Sequence, residues 1–329
     1  MASRSFAEIG RVEAIRQLFE GSAYAPFGEP LCFKPAAGED VVSASRVMME
    51  GMDFNLVYFP LKHLGYKSVI AVTGELYARM GHPETLEVTL GISSKLDFDQ
   101  IRELWDGVLA AATEHGYRQL SLDLIPSVNG LCISMNAAAR RSKTSCEACP
   151  KPQSKDLLCV SGCLGAAFLG QMVLEHKPED LEKYKMMLAA YLKPELSPVA
   201  VAQLEDGGFL PSAACFVSRG LSDAVKRISR TTGLGAKIYA DKIPFEGNSF
   251  SLGKELDIDP ISAAMNGGDD FRLLLAIPID KFEKFHTDFQ TFDIIGHLAL
   301  PEVGTVLVTP DGLEHPMSAQ GWSEEKSFS

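Results

Sequence analysis

The segment Asn266-Gly267-Gly268-Asp269-Asp270-Phe271 is a Gly-Gly turn with two carboxylates, and it leads into the apolar run LLLAI at residues 273–277. Glycine lets a backbone approach a ligand closely, and carboxylates are the ligands that hard cations prefer. Residues 215–222 (CFVSRGLS) have the layout of a strand that turns into a helix. The two segments predict a phosphoryl-transfer scaffold. Its nucleotide- or phosphate-binding residues would include Gly267, Gly268, Asp269 and Asp270.

Composition limits the classes of protein to consider. The 329 residues are 46% hydrophobic and 22% charged, which suits a soluble globular chain with two full cores. The net charge of −12 argues against nucleic acid or an anionic membrane as the main partner. No apolar run approaches the roughly 18 residues of a membrane span. The charged N-terminus predicts no secretion signal, and seven cysteines, an odd number, predict no disulfide framework. We expect a cytoplasmic protein.

Strand-like and helical patterns alternate along the chain, which predicts an α/β or α+β protein with mixed sheets. A helix is expected over residues 6–19, a strand over 40–49, and long helices over 61–80 and 98–115, the latter capped by Asp97. Residues 120–124 and 131–137 are expected as strands around a turn at Asn129-Gly130. The polar, Pro-containing stretch 140–155 is the expected domain boundary, which divides the chain into residues 1–145 and 146–329.

Four segments resemble motifs of the thiamine-monophosphate kinase family. Residues 216–221 (FVSRGL) resemble its D-x-S-D-G-L, and residues 267–273 (GGDDFRL) resemble its G-G-[ED]-[DY]-[YF]-E-L. Residues 58–67 (YFPLKHLGYK) are similar to the entry to its long helix, and residues 156–165 (DLLCVSGCLG) to its second-domain opening strand and Gly turn. The resemblance spans about residues 6–322. It implies a two-domain aminoimidazole ribonucleotide synthetase-like fold, with a nucleotide-binding and dimerisation domain followed by a substrate domain.

The resemblance also implies a set of carboxylates that hold Mg²⁺ for phosphoryl transfer. A carboxylate is kept at three matched positions, which are the predicted metal ligands: Glu29, Glu75 and Asp123. Four other matched positions have lost the acid: Pro30, Arg46, Phe216 and Arg219. Neither Phe nor Arg can replace a carboxylate as a ligand of Mg²⁺. We therefore predict that Arg46 and Arg219 bind nucleotide or phosphate in place of the missing metal charge. The alternative is that they pair with leftover acids such as Asp123 and Glu75.

By resemblance, the chain is a homodimeric kinase that uses ATP and Mg²⁺ to convert thiamine monophosphate to thiamine diphosphate. The replaced acids predict that this activity is reduced or lost, and no catalytic residue is assigned. The main alternative is a non-catalytic dimeric homologue that binds a nucleotide or phosphate ligand, with neither ATP nor Mg²⁺ required. A third possibility is amidine-forming ATP chemistry, as in the aminoimidazole ribonucleotide synthetase branch.

Three further features each have two interpretations. Trp322, in Gln320-Gly321-Trp322, matches the family's tail and would either stack on a flat substrate ring or pack against its own domain. The turn at residues 162–165 would bind phosphate at a helix N-terminus or serve only as a tight β–α turn. Four cysteines spaced C-x2-C-x9-C-x3-C suggest a zinc site or, more in keeping with their sequence context, scattered thiols: Cys146, Cys149, Cys159 and Cys163.

Overall fold

The computed structural model describes residues 5–26, 31–176 and 181–319. The helices are α1 (Phe6–Ile9), α2 (Arg11–Leu18), α3 (Leu61–Tyr77), α4 (Phe98–Glu114), α5 (Lys143–Ala148), α6 (Ala166–His176), α7 (Lys185–Leu192), α8 (Ala200–Gly207), α9 (Leu221–Thr232), α10 (Ser249–Leu256), α11 (Pro260–Asn266) and α12 (Phe282–Asp288). The strands are β1 (Asp40–Met49), β2 (Gly81–Ser93), β3 (Gln119–Ser127), β4 (Cys132–Arg141), β5 (Leu157–Val160), β6 (Ala213–Val217), β7 (Gly235–Tyr239), β8 (Arg272–Ile277), β9 (Asp293–Ala299), β10 (Thr305–Val308) and β11 (Glu314–Pro316). No helix in these ranges is long and apolar enough to cross a membrane.

The chain forms two compact units, the first made of residues 1–148 and 192–203. Its four-stranded sheet has the order β1-β4-β2-β3. β2 and β3 are parallel, and the remaining pairs are antiparallel. The long helices α3 and α4 pack against each other. α4 begins where Asp97 and Gln100 form a reciprocal capping box, which confirms Asp97 as its cap.

Two glycines allow α3 and α4 to approach closely. A Cβ atom at Gly65 would overlap the backbone carbonyl of Leu104, and one at Gly107 would overlap the carbonyl of Lys62. Each glycine thus faces the backbone of the other helix, which cannot move aside as a flexible side chain can.

We expect Gly107→Ala to lower the free energy of unfolding by roughly 3 kcal/mol, because the added methyl group must push the two helices apart. Urea unfolding measures this change. Gly247→Ala is the matched control, since a Cβ atom there meets nothing within 4 Å. Equal stability of the two variants would contradict the close approach of α3 and α4.

The structure corrects two expectations for this unit. The helix expected over residues 6–19 is broken at Gly10, whose φ of 79° is a left-handed conformation that glycine adopts without strain. The strands flanking Asn129-Gly130 do not form a hairpin. β3 follows α4 and pairs in parallel with β2, whereas β4 inserts between β1 and β2. The polar stretch at 140–155 also contains the helix α5.

The second unit contains residues 149–191 and 204–329. Its seven-stranded mixed sheet has the order β11-β10-β7-β9-β5-β8-β6. The central strands are apolar on both faces, as the runs at residues 157–160 and 273–277 predicted, and β8 is buried over nearly its whole length. Helices α9 and α11 contribute to the core beside this sheet. α10 and β11 were not expected from the sequence pattern.

Candidate functional site

The two segments that define the sequence motif lie side by side in the second unit. The amide of Asp269 donates to the carbonyl of Ser218 at 3.1 Å, and the amide of Phe271 donates to the carbonyl of Val217 at 2.9 Å. Asp269 and Phe271 have φ values of 60° and 50°, a conformation that is uncommon for residues other than glycine. The turn that contains Gly267 and Gly268 is therefore fixed against the end of β6.

Aromatic packing surrounds Phe216, which stands where the D-x-S-D-G-L motif of the resembled family has its first Asp. The ring of Phe216 stacks on that of Phe271 with centroids 5.4 Å apart and planes 14° from parallel. Both side chains are completely buried. The Phe216 side chain offers no oxygen to a cation, and a carboxylate could not take its place without breaking the stack. Arg219 follows on the exposed turn before α9, and its phosphate-binding role stays a prediction.

Asp270 uses both carboxylate oxygens to cap a helix. Oδ2 accepts from the amide of Gly165 at 3.0 Å, and Oδ1 accepts from the amide of Ala167 at 3.4 Å, at the N-terminus of α6. Burial raises the pKa of Asp270 to about 7, although the two amide donors and Arg272 act in the opposite direction. An internal carboxylate thus occupies the helix N-terminus that residues 162–165 would offer to phosphate, which favours the tight-turn interpretation of that segment.

This raised pKa predicts how stability depends on pH. The unfolded chain releases the Asp270 proton near pH 4, whereas the folded protein holds it to about pH 7. The free energy of unfolding therefore falls as pH rises between these values, by at most about 1.4 kcal/mol per pH unit. We expect Asp270→Asn to remove this fall when urea unfolding is measured from pH 4 to 7. Asp259→Asn, at the exposed cap of α11, is the control. An unchanged slope in Asp270→Asn would refute the assignment.

Arg46, at another position where the family has an acid, lies on β1 in the first unit. The Arg46 side chain is 17% exposed, and its Nη2 lies 3.9 Å from Oδ1 of Asp53. Asp53 Oδ2 also accepts from the amide of Met49 at 2.9 Å. Nε of Arg46 is buried and has no hydrogen-bond partner within the described residues. Arg46 is thus paired, but with a different acid from the two expected, Asp123 and Glu75.

Asp123 lies on β3 and is paired with Arg11, the first residue of α2. Nη1 of Arg11 lies 2.6 Å from Oδ1 of Asp123, which also accepts from the amide of Leu124 at 2.9 Å. Sequence reasoning missed Arg11, because its partner lies 112 residues away and neither residue stands in a pattern that links them.

The structure describes two of the three predicted metal ligands, so the predicted cation site as a whole stays a prediction. Glu75 is partly buried on α3, Asp123 is held by Arg11, and Glu29 lies outside the described residues, as does Trp322. In the described ranges no group of three or more His, Cys, Asp or Glu side chains is placed to hold a metal. All seven cysteines are free thiols, and those proposed for zinc belong to no such group.

A cavity of about 910 Å³ lies at the carboxyl ends of the parallel strands β2 and β3. In open α/β sheets ligands bind beyond the carboxyl ends of the strands, and this volume lies within the usual range for ligand pockets. Its polar lining includes Ser5, Arg11, Ser93, Ser94, Lys95 and Ser127. Its apolar lining includes Phe6, Ile92, Leu96, Leu124, Ile125 and Val128. The cavity can hold an anion beside a flat apolar group.

Several curated proteins are similar in sequence. The thiamine-monophosphate kinase of Pyrococcus horikoshii is 28% identical over 267 residues, which are 80% of this chain and 79% of that protein. The corresponding protein of Methanopyrus kandleri is 24% identical over 68% of this chain and 70% of its own length. That of Aquifex aeolicus is 20% identical over 87% and 90%. No family model matches the chain.

Solved structures share the fold. Thiamine-monophosphate kinase from Stenotrophomonas maltophilia superposes with a TM-score of 0.74 at 22% identity, covering 97% of this chain and 99% of that one. AaThiL complexed with AMPPCP and TMP gives 0.70 at 19% identity, covering 96% and 100%. The E. coli hydrogenase maturation protein HypE gives 0.71 at 13% identity, covering 94% and 96%. The chain is thus similar in sequence to curated thiamine-monophosphate kinases over most of their length, and it has the fold of their solved structures, the aminoimidazole ribonucleotide synthetase-like fold.

Proposed function

We propose that this protein binds ATP and thiamine monophosphate, as its named relatives suggest, but transfers phosphate between them very slowly. The observation that carries ligand binding is the cavity beyond β2 and β3, which combines the cations Arg11 and Lys95 with an apolar wall. AaThiL, whose structure is complexed with AMPPCP and TMP, shares the fold over nearly the whole length of this chain. We assign nucleotide binding and dimerisation to residues 1–145, substrate binding to residues 146–329, and a cytoplasmic location.

The slow chemistry follows from the acids that are replaced. A kinase relies on positioned cations to neutralise the transferred phosphoryl group. Phe216 is stacked in the core on Phe271, and Arg46 is paired with Asp53. Loss of both carboxylates removes two ligands for Mg²⁺, so we expect the ion to be held less firmly in place.

A non-catalytic binding protein is the second candidate. The ion pair Arg11–Asp123 favours it, because it engages a predicted metal ligand. Arg46, which stands where the family has an acid, is paired with Asp53. This candidate shares the ligand-binding step with the first, so only turnover distinguishes them.

Ligand binding is tested by thermal unfolding with ATP, ADP or thiamine monophosphate, each with and without Mg²⁺. A ligand at a hundredfold its Kd stabilises the native state by about 2.7 kcal/mol, which raises the melting temperature by several degrees. Lys95→Ala should weaken the shift with ATP, whereas Lys254→Ala, exposed on α10, should not. No shift with any of these ligands would refute the proposed function.

We further propose a homodimer formed through the first unit. β1 is an edge strand of its sheet, and its outward face exposes Val41 (50%), Val47 (52%) and Met49 (44%). An uncovered apolar edge strand favours pairing with another chain. Light scattering at micromolar concentration should give twice the chain mass of 35.7 kDa. Val47→Lys should shift the protein towards monomer. A monomer mass for the unmodified protein would contradict the proposal.

A further inference from the structure

We propose that Arg11 takes the place of a divalent cation on Asp123, so that the cavity beyond β2 and β3 binds the phosphates of a nucleotide without metal. This inference rests on the proposed function and specifies how its nucleotide is held. Its first support is position, since Arg11 both contacts Asp123 at 2.6 Å and lines the cavity. The guanidinium of Arg11 would then lie between the Asp123 carboxylate and the phosphate, where a metal ion would otherwise lie.

The geometry leaves Arg11 able to bind a second anion. Asp123 engages Nη1, one end of a guanidinium that has five N–H donors. The Arg11 side chain is 60% exposed and that of Asp123 is 50% exposed. An ion pair this exposed contributes little to stability, so the guanidinium can turn towards a ligand without a large loss. Its planar fork fits two phosphate oxygens at once.

The charges around the cavity depend on Arg11. Among the described residues that line the cavity, Lys95 and Arg11 are basic and Asp97 is acidic. Asp123, the partner of Arg11, adds a second acid. These four groups sum to zero, and without Arg11 the sum is −1. In a chain whose net charge is −12, an additional uncompensated acid would repel phosphate unless a cation covered it. Arg11 therefore determines whether a bare nucleotide can enter.

The rest of the lining defines the class of ligand. Phe6, Ile92 and Leu96 supply apolar surface for a flat base, and the hydroxyl groups of Ser93 and Ser127 lie among the same lining residues. A metal-free nucleoside polyphosphate combines such a base with the charge that Arg11 and Lys95 can neutralise. Inorganic phosphate alone would leave most of the volume of about 910 Å³ unfilled.

Calorimetric titration with ATP, in EDTA and in Mg²⁺, tests the role of Arg11. We expect the unmodified protein to bind ATP in EDTA, with Kd changing less than about threefold when Mg²⁺ is added. Arg11→Gln should raise Kd in EDTA at least about tenfold, the loss expected for a charge-assisted contact. Mg²⁺ should restore part of this loss through the uncovered Asp123, and Asp123→Asn in the Arg11→Gln background should abolish that rescue.

Arg16→Gln is the matched control, because Arg16 lies on the same helix and pairs with Glu13 away from the cavity lining. It should bind ATP as the unmodified protein does. Strict Mg²⁺ dependence of the unmodified protein, or an unchanged Kd for Arg11→Gln in EDTA, would overturn the inference and leave the proposed function intact. Absence of ATP binding by the unmodified protein in both buffers would overturn both. A thermal melt of each variant confirms that it is folded.

Discussion

The purified protein should form thiamine diphosphate from ATP and thiamine monophosphate at least about a hundredfold more slowly than the roughly 1–100 s⁻¹ usual for kinases. Of the three described positions where this chain lacks an acid that the family has, one holds Phe216 and another Arg46; the third holds Arg219. The first is locked in the core by its stack on Phe271, and the second brings a positive charge to the place of a cation. Misplacing a reacting group by about 1 Å can cost a hundredfold in rate, and the loss of two ligands should cost no less.

A quenched assay that separates thiamine monophosphate from thiamine diphosphate measures this rate, with the Aquifex aeolicus relative as the positive control. Arg219→Asp restores one family acid at an exposed position where folding should tolerate it. It should not restore turnover, because the neighbouring position is still filled by Phe216. A turnover of 1 s⁻¹ or more for the unmodified protein would show that the remaining groups suffice, and the proposed loss of activity would be wrong.

Local sequence patterns predicted most helices and strands, because the signals for each lie within a short stretch of neighbouring residues. The capping box at Asp97 and the apolar run of β8 are examples. Which strands pair with each other does not follow from such local signals. Asn129-Gly130 is a strong hairpin signal, yet β3 pairs in parallel with β2, because the crossover through α4 returns the chain beside that strand.

None of the described residues that the sequence predicted as site residues lines the cavity beyond β2 and β3, and their contacts could not be predicted either. Asp269 and Asp270 are adjacent residues of the same type, so the sequence does not distinguish them. In the structure only Asp270 is deeply buried and caps α6. The partner of Asp123 could not be predicted, since Arg11 approaches it only once α2 packs near β3. Charge pairing between distant segments depends on tertiary packing, which no local pattern encodes.

Phe216→Ala should lower the free energy of unfolding by about 3–5 kcal/mol, the usual cost of deleting a buried aromatic side chain. Phe216 is fully buried between the end of β6 and the turn that carries Phe271, so its removal leaves a cavity and an unpaired ring. Phe250→Ala is the control, because Phe250 is 57% exposed and its loss should change stability by less than about 1 kcal/mol.

The same variant separates two explanations for the missing acid. If Phe216 is a core residue, the space opened in Phe216→Ala is lined by apolar groups, and Mg²⁺ should not stabilise the variant in urea unfolding. If Phe216 instead covers a cation site that is otherwise intact, the variant should lose little stability and gain Mg²⁺-dependent stabilisation. The near-parallel stack and complete burial of both rings favour the first outcome, because a ring that served only as a cover would keep one face towards solvent. Phe216 is then part of the core of the second unit, and no single substitution at the surface can restore a carboxylate at this position.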